Sequence, residues 1–187
     1  CYDPEKNKFF SRQNKPFIAP QWFIQAMPSR LIDGELWIGR NMFQEMGTVR
    51  KKVPIDEEWL NVTFQVYDMP DEEGTFLERI KKLVKIVQLT KTKWLRIRKD
   101  LPYPFNNLEC PLVLAKQTVM KSDSHLDTLY KDVIKNGGEG VMLKDPNSPY
   151  EGKRSNYLLK YKPNFDAEAI IIGYKPGQGK YSGMLGG

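Results

Sequence analysis

Two lysines one residue apart, in the run Leu159-Lys160-Tyr161-Lys162, offer the simplest chemistry in this chain. On a β-strand their ammonium groups project from one face while Leu159 and Tyr161 face the core. A fixed pair of compact cations suits phosphate. The alternative is a strand edge decorated with lysines against aggregation. Glu139 stands between Gly138 and Gly140, on a small-residue backbone that a nucleotide or metal can approach closely. Its carboxylate suits Mg²⁺, which takes one or two carboxylates plus phosphate oxygens and keeps several waters. Lys144 lies five positions on and leaves the opposite face of a regular strand. It reaches the same site only near the strand end or through a bulge. The competing explanation is a helix C-cap at Gly137-Gly138 running into an ordinary strand.

Asp33-Gly34-Glu35 places two acids on one strand face, with Gly34 leaving room between them. Two acids on a face sit at solvent or at a site, not in a core. Tyr67 falls on the polar side of its strand, so its ring is available to stack on a base, an interaction worth ~1–3 kcal/mol. A half-buried sheet tyrosine is the commoner use of such a residue.

The elements that position these groups follow from pattern. Residues 1 to 20 alternate through Lys8-Phe9-Phe10-Ser11-Arg12 and turn at Asn14 and Pro16, which predicts a hairpin. A short helix is expected over Gln21–Ala26, and a strand over Leu31–Gly39 with Ile32, Leu36 and Ile38 opposite the acids. Val62–Asp68 alternates as a second strand, with Val62, Phe64 and Val66 on its apolar side. After the turn at 71–74, Thr75 and Glu78 form a capping box for a helix to about Leu89, whose stripe is Ile80, Leu83, Val84 and Val87. A strand over Pro111–Val119 and a helix over Ser124–Asn136 follow. Strands over Gly140–Lys144 and Tyr157–Lys162 flank a turn-rich loop, Asp145 to Pro149. The pattern changes after Pro163, with a new apolar strand over Ala167–Tyr174, so a domain boundary is placed near Asp166.

The 187 residues carry 29 Lys+Arg against 23 Asp+Glu, a net charge of +6. That is modest support for a polyanionic partner. No apolar run approaches the ~18 residues of a membrane span. Cys1 and Cys110 have neither a disulfide-framework nor a metal-ligand spacing, so a reducing, intracellular setting is expected. The basic stretch Lys91, Lys93, Arg96, Arg98 and Lys99, with Trp94 and Ile97 interleaved, reads either as a DNA backbone contact or as a solvated face covering the end of the preceding helix. Arg50, Lys51 and Lys52 carry the same two readings. The lone histidine, His125, has no partner for a general-base role.

Taken in order, Asp-Gly-Glu, an aromatic-Asp strand, Glu139-Gly140-Val141-Met142-Leu143-Lys144 and Leu159-Lys160-Tyr161-Lys162 resemble the covalent nucleotidyltransferase superfamily. Within it, the chain is most similar to the adenylation domain of an ATP-dependent DNA ligase. The resemblance extends from Phe10-Ser11-Arg12 to Gly179-Lys180-Tyr181-Ser182-Gly183, which looks like the opening of the OB-fold domain that follows in these ligases. It implies an α+β fold of antiparallel sheets flanked by helices around a nucleotide cleft, with an adenylation domain over 1–165 and a linker and OB-fold start over 166–187. It also implies ATP as AMP donor, Mg²⁺, nicked double-stranded DNA as partner, and a monomer.

Carried over by motif, Arg12 would contact the nucleotide and the DNA end, Glu35 would bind the ribose hydroxyls and help hold metal, and Tyr67 would stack on adenine. Glu139 would take Mg²⁺, while Lys144, Lys160 and Lys162 would neutralise phosphates. Arg50, Lys91, Lys93, Arg96, Arg98 and Lys180 would contact DNA. The family nucleophile, a lysine in Lys-x-Asp-Gly, is missing: Asp33-Gly34 is the only Asp-Gly and is preceded by Leu31-Ile32. A truncated N-terminus is the expected reason. The neighbouring readings are an RNA ligase, an mRNA guanylyltransferase, or a non-catalytic nucleic-acid-binding module. The last has no evident use for clustered acids facing a polyanion.

Overall fold

The computed structural model describes residues 1–42, 44–164 and 168–186. Three short strands, β1 (Tyr2–Asp3), β2 (Lys8–Phe10) and β3 (Pro16–Phe17), form an antiparallel meander, one strand more than the expected hairpin. Asn7 and Asn14 occupy its two turns at positive φ, a region asparagine tolerates. Helix α1 (Gln21–Gln25) follows and buries Trp22 and Phe23.

The second sheet runs β4 (Asp33–Trp37), β5 (Thr63–Asp68), β6 (Leu112–Leu114). β4 and β5 are antiparallel, but β5 and β6 are parallel, which departs from the purely antiparallel expectation. A parallel neighbour needs a crossover, and helix α2 (Phe76–Ile97) supplies it. α2 runs two turns past the expected end near Leu89. No glycine or proline interrupts it before Pro102, and its buried stripe of Ile80, Leu83 and Val87 continues through Thr90 and Trp94. The basic stretch 91–97 is therefore helical. Phe9, Phe23, Trp59, Phe64, Leu83, Trp94 and Leu112 meet in one core beneath this sheet. Phe9 lies 4.9 Å from Phe64 and Phe23 lies 4.9 Å from Trp59, ring centre to ring centre, in edge-on packing. Each such side chain contributes about 1.5–3 kcal/mol by leaving water.

Helix α3 (Asp123–Lys135) begins at Ser122, whose hydroxyl accepts from the His125 amide, and ends before Gly137 at φ 74°. It leads into an antiparallel ribbon, β7 (Val141–Lys144) and β8 (Leu158–Tyr161), with Met142 opposite Lys160. The ribbon differs from expectation in exposing Leu159 (54%) and Tyr161 (40%) instead of burying them. Tyr161 packs on Tyr130 of α3, ring centres 4.5 Å apart. The strand expected over Pro111–Val119 shrinks to three residues. Of that expected over Ala167–Tyr174, Ala167 lies outside the described residues, and 168–174 form no strand. The boundary near Asp166 also lies outside them. Residues 175–186 close a small loop through the Pro176–Leu185 bridge. No helix among the described residues is long and apolar enough to cross a membrane.

Candidate nucleotide and phosphate site

The face of β4–β5 turned away from α2 carries the aromatic and acidic candidates. β5 alternates Phe64, Val66 and Asp68 inward and Thr63, Gln65 and Tyr67 outward. At its end Tyr67 and Asp68 together stand opposite the single residue Asp33, because pairing jumps from Gly34↔Val66 to Asp33↔Asp68. A bulge of this kind breaks the ladder and re-aims a side chain. Here the re-aimed ring is Tyr67, 38% exposed. Its hydroxyl is pushed up to about 12, first by burial and then by the charges of Asp33 and Glu35, against an opposing pull from Arg12. Tyr67, Glu35, Asp33 and Arg12 therefore share one electrostatic neighbourhood. Gly34 serves packing, since a Cβ there would stand 2.6 Å from the Gln65 carbonyl oxygen and 2.9 Å from the Phe64 ring. The space it leaves is filled by protein.

Arg12 also lines a groove of about 590 Å³ with Lys15, Phe17 and Arg50, so the structure brings Arg12 and Arg50 together. The sequence reading gave Lys15 no role.

A second group sits on the ribbon. Lys160 Nζ donates to Glu139 Oε2 at 2.8 Å. That hydrogen bond, the Lys160 charge and, more weakly, Lys162 hold the Glu139 carboxyl below its usual range. Glu139 is 85% exposed at its side chain and Lys160 is 49%. An ion pair this wet is worth little on balance, so its members are free to part around a ligand that brings both phosphate and metal. Besides a Lys144–Asp68 ion pair, two hydrogen bonds tie the flanks of the ribbon to the sheet. Tyr150 Oη donates to Asp33 Oδ2 at 3.1 Å, and Arg40 Nη1, just past β4, donates to the Asn136 carbonyl at 2.6 Å, just before Glu139.

Lys144 does not join the lysine pair. Its Nζ lies 3.7 Å from Asp68 Oδ2 and 5.3 Å from the Phe76 ring centre, with the side chain 18% exposed. It belongs to a buried network the sequence reading missed. Arg79, fully buried, donates from Nε to Asp68 Oδ1 at 2.6 Å and from Nη2 to Asp68 Oδ2 at 3.1 Å. Its Nη1 donates to the carbonyls of Gly74 and Ser148. The Tyr150 ring lies 5.8 Å from the guanidinium. Burial and the Asp33 charge raise the Tyr150 hydroxyl pKa further than that of Tyr67. Two signals pointed here: an aspartate on the apolar parity of β5, and an arginine beside the apolar stripe of α2. A buried carboxylate demands such a cation. Tyr150 left no signal in its loop.

The remaining DNA candidates lie elsewhere. Lys91, Lys93 and Arg96 are exposed on α2; Arg96 faces away from the sheet, Lys93 borders a hollow with Tyr2 and Ile24, and Lys91 lies on the flank toward Cys110. Arg98 donates to the Leu108 carbonyl at 2.7 Å, beside the Trp94 indole on the same acceptor, so it anchors the helix end. Lys180 sits in a turn at 179–181, over the Tyr181 ring at 4.8 Å. His125 Nδ1 accepts from the Lys121 amide, a capping role.

Residues 2–162 match a family described as the ATP dependent DNA ligase domain. A DNA ligase of Haemophilus influenzae is 31% identical over 179 residues, covering 96% of this chain and 60% of that protein. A DNA ligase of Thermococcus onnurineus is 39% identical over 138 residues, covering 73% of this chain and 21% of that protein. Among solved structures, one described as "DNA binding with a minimal scaffold: Structure-function analysis of Lig E DNA ligases" superposes with a TM-score of 0.76 at 30% identity, covering 96% of this chain and 64% of that one. The Chlorella virus DNA ligase-adenylate structure superposes with a TM-score of 0.65 at 20% identity over 90% of this chain and 61% of that one, a likeness of fold. The chain thus spans 60% of the Haemophilus influenzae ligase and 33% of a Methanosphaera stadtmanae DNA ligase that it matches over 97% of its own length.

Proposed function

The chain belongs to the ATP dependent DNA ligase domain family, and on that premise we propose that the parent protein is adenylated by ATP and passes the AMP to the 5′-phosphate of a nick in duplex DNA before sealing it. One observation carries the site assignment: the ribbon bearing Glu139, Lys160 and Lys162 is pinned at both ends to the sheet that presents Tyr67 and Glu35. Phosphoryl transfer needs little covalent help from a protein beyond the nucleophile. Positioning and charge do most of the rest.

Tyr67 supplies an aromatic face for adenine, beside a strand bulge that fixes its direction. Glu35, exposed and close to Tyr67, binds the ribose hydroxyls. Lys160 and Lys162 screen the phosphates, with Lys160 released from Glu139 as the nucleotide arrives. Arg12 meets the nucleotide and the 5′ end of the DNA, and Arg50 in the same groove takes the adjoining backbone. Lys144 has a different task, holding Asp68 in place beneath Tyr67.

The donors suit magnesium. Among the described residues no three acids, histidines or cysteines form a ligand cage, while Glu139 offers one exposed carboxylate and Glu35 another. Mg²⁺ accepts that arrangement because phosphates and water complete its shell, which zinc in a closed structural site does not. When bound, the ion supplies positive charge against the phosphoryl oxygens.

Every relative named above is a DNA ligase, which favours this reading over an RNA ligase, a guanylyltransferase or a passive binding module. The terminal segment 166–187 we assign to a linker and the start of an OB-fold partner domain. The covalent step needs a Lys-x-Asp-Gly lysine that these 187 residues do not contain, so the test uses the full-length gene product. Incubation with ATP labelled at the α-phosphate should leave label on the protein, and nicked duplex with a 5′-phosphate should discharge it. Transfer from GTP with ATP ignored would overturn the proposal.

A further inference from the structure

Helix α2 carries a row of cations that the site does not use. Between Phe76 and Lys99 the one acid is Glu78, against nine lysines and arginines. Two of those cations have carboxylate partners among the described residues, Arg79 with Asp68 and Lys82 with Glu72, and Arg98 is held by the Leu108 carbonyl. Lys81, Lys85, Lys91, Lys93, Arg96 and Lys99 are exposed and have no carboxylate partner among the described residues.

At 3.6 residues per turn, the buried positions 80, 83, 87, 90 and 94 define the inner side of the helix. The line opposite them runs through Glu78, Lys81, Lys85, Leu89, Thr92 and Arg96, with Lys93 on one flank and Lys91 lower, toward the buried side. Leu89, 70% exposed, sits on this crest between Lys85 and Thr92, and Leu95 lies beside it. From Lys81 to Arg96 the crest is about 22 Å long at ~1.5 Å per residue. It also points away from the nucleotide side. Ile80, Leu83 and Val87 share the core with Phe64, Val66 and Leu112, whereas Tyr67 and Glu35 stand on the other face of the same sheet. A whole sheet and a helix of about 10 Å diameter separate the two surfaces.

We infer that the crest of α2 is a second, sequence-independent DNA surface, which holds duplex away from the nick while the opposite face engages the nucleotide and the break. The inference rests on the ligase reading above for its choice of polyanion. Lys81, Lys85 and Arg96, aligned along one line of the helix, suit a rod that carries one negative charge per ~1.7 Å of axis. Such a surface adds affinity for any duplex and lets the protein stay on DNA between nicks.

The test compares the full-length protein with its Lys81→Gln/Lys85→Gln variant, two residues far from the proposed nucleotide site. Binding of an unnicked duplex is measured over a series of salt concentrations, with helicity and thermal unfolding as fold controls. The slope of log affinity against log salt should become shallower by about 1.8, at ~0.9 for each phosphate that is no longer neutralised. Lys81→Glu/Lys85→Glu should weaken duplex binding further. Sealing at saturating nicked DNA should be unchanged in both. An unchanged slope and affinity would overturn the inference, leaving the crest solvated or reserved for an acidic protein. Sealing lost at saturating substrate would also overturn it, because the crest would then be part of the nick-binding surface. Failure of the wild-type protein to take label from ATP would strike the ligase reading, and the duplex measurement would still decide whether α2 binds DNA.

Discussion

Replacing Arg79 by methionine removes the guanidinium and keeps most of the side-chain volume. Asp68 would then be 3% exposed with one remaining cation, Lys144, at 3.7 Å, in place of two charge-assisted bonds at 2.6 and 3.1 Å. Breaking a buried pair by removing one member costs about 3–5 kcal/mol, because an uncompensated charge stays behind. The Gly74 carbonyl also loses the Arg79 donor, while the Ser148 carbonyl keeps the Phe76 amide. For a protein of this size each kcal/mol moves the melting temperature by roughly 2–4 °C, so Tm should fall by about 6–20 °C. Thermal unfolding followed by circular dichroism reads this directly. The pair is coupled, so Asp68→Val/Arg79→Met should lose less than the sum of its single variants, since the one charge it leaves without its partner, Lys144, is partly exposed. If Arg79→Met lost less than about 1 kcal/mol, or the double variant lost the full sum, Asp68 and Arg79 would not act as one electrostatic unit.

Glu139→Ala should reduce metal-dependent adenylate transfer by about 100-fold or more, the scale on which removing a site charge acts, with duplex affinity held; equal loss of both would remove its metal role. Tyr67→Ala should weaken ATP binding by about 5- to 150-fold, equivalent to ~1–3 kcal/mol of stacking, and Tyr67→Phe should restore it in titration calorimetry. Lys160→Ala should let the Glu139 carboxyl pKa rise toward its usual value, because Lys160 is what holds it down. A carboxylate binds metal only when ionised, so the acid limb of metal-dependent activity should move to higher pH in that variant. A limb that stays put would detach Glu139 from the lysine.

The strands of the site were legible because one of their faces is buried. Val62, Phe64 and Val66 have to point inward, which leaves Tyr67 and Gln65 outward, and no other register satisfies β5. The capping box at Thr75 and Glu78 was equally plain. What escaped was set by tertiary contact. Strand β8 looks core-bound from Leu159 and Tyr161, yet the ribbon has two open faces, and alternation cannot say which of them will be covered. The long reach of α2 was hidden by the charged residues that share its last turns with Trp94. Spacing puts Lys144 on the strand face opposite Glu139 and the family resemblance gives it a phosphate, but neither says that a buried acid, Asp68, stands 3.7 Å from it. Tyr150 sits in a loop of turn residues, where no periodicity exists to mark it.

The first turn of α2 owes its stability to a distant stretch of chain. The amides of Phe76 and Leu77 are satisfied by the carbonyls of Ser148 and Pro146, in the loop that joins β7 to β8. Lifting the lysine ribbon off the sheet would strip those partners and fray the start of a 22-residue helix. Any displacement of the ribbon's loop would thus be felt at a helix start some seventy residues earlier in the sequence. The resting position of Lys160 is in this way enforced by a helix it never touches.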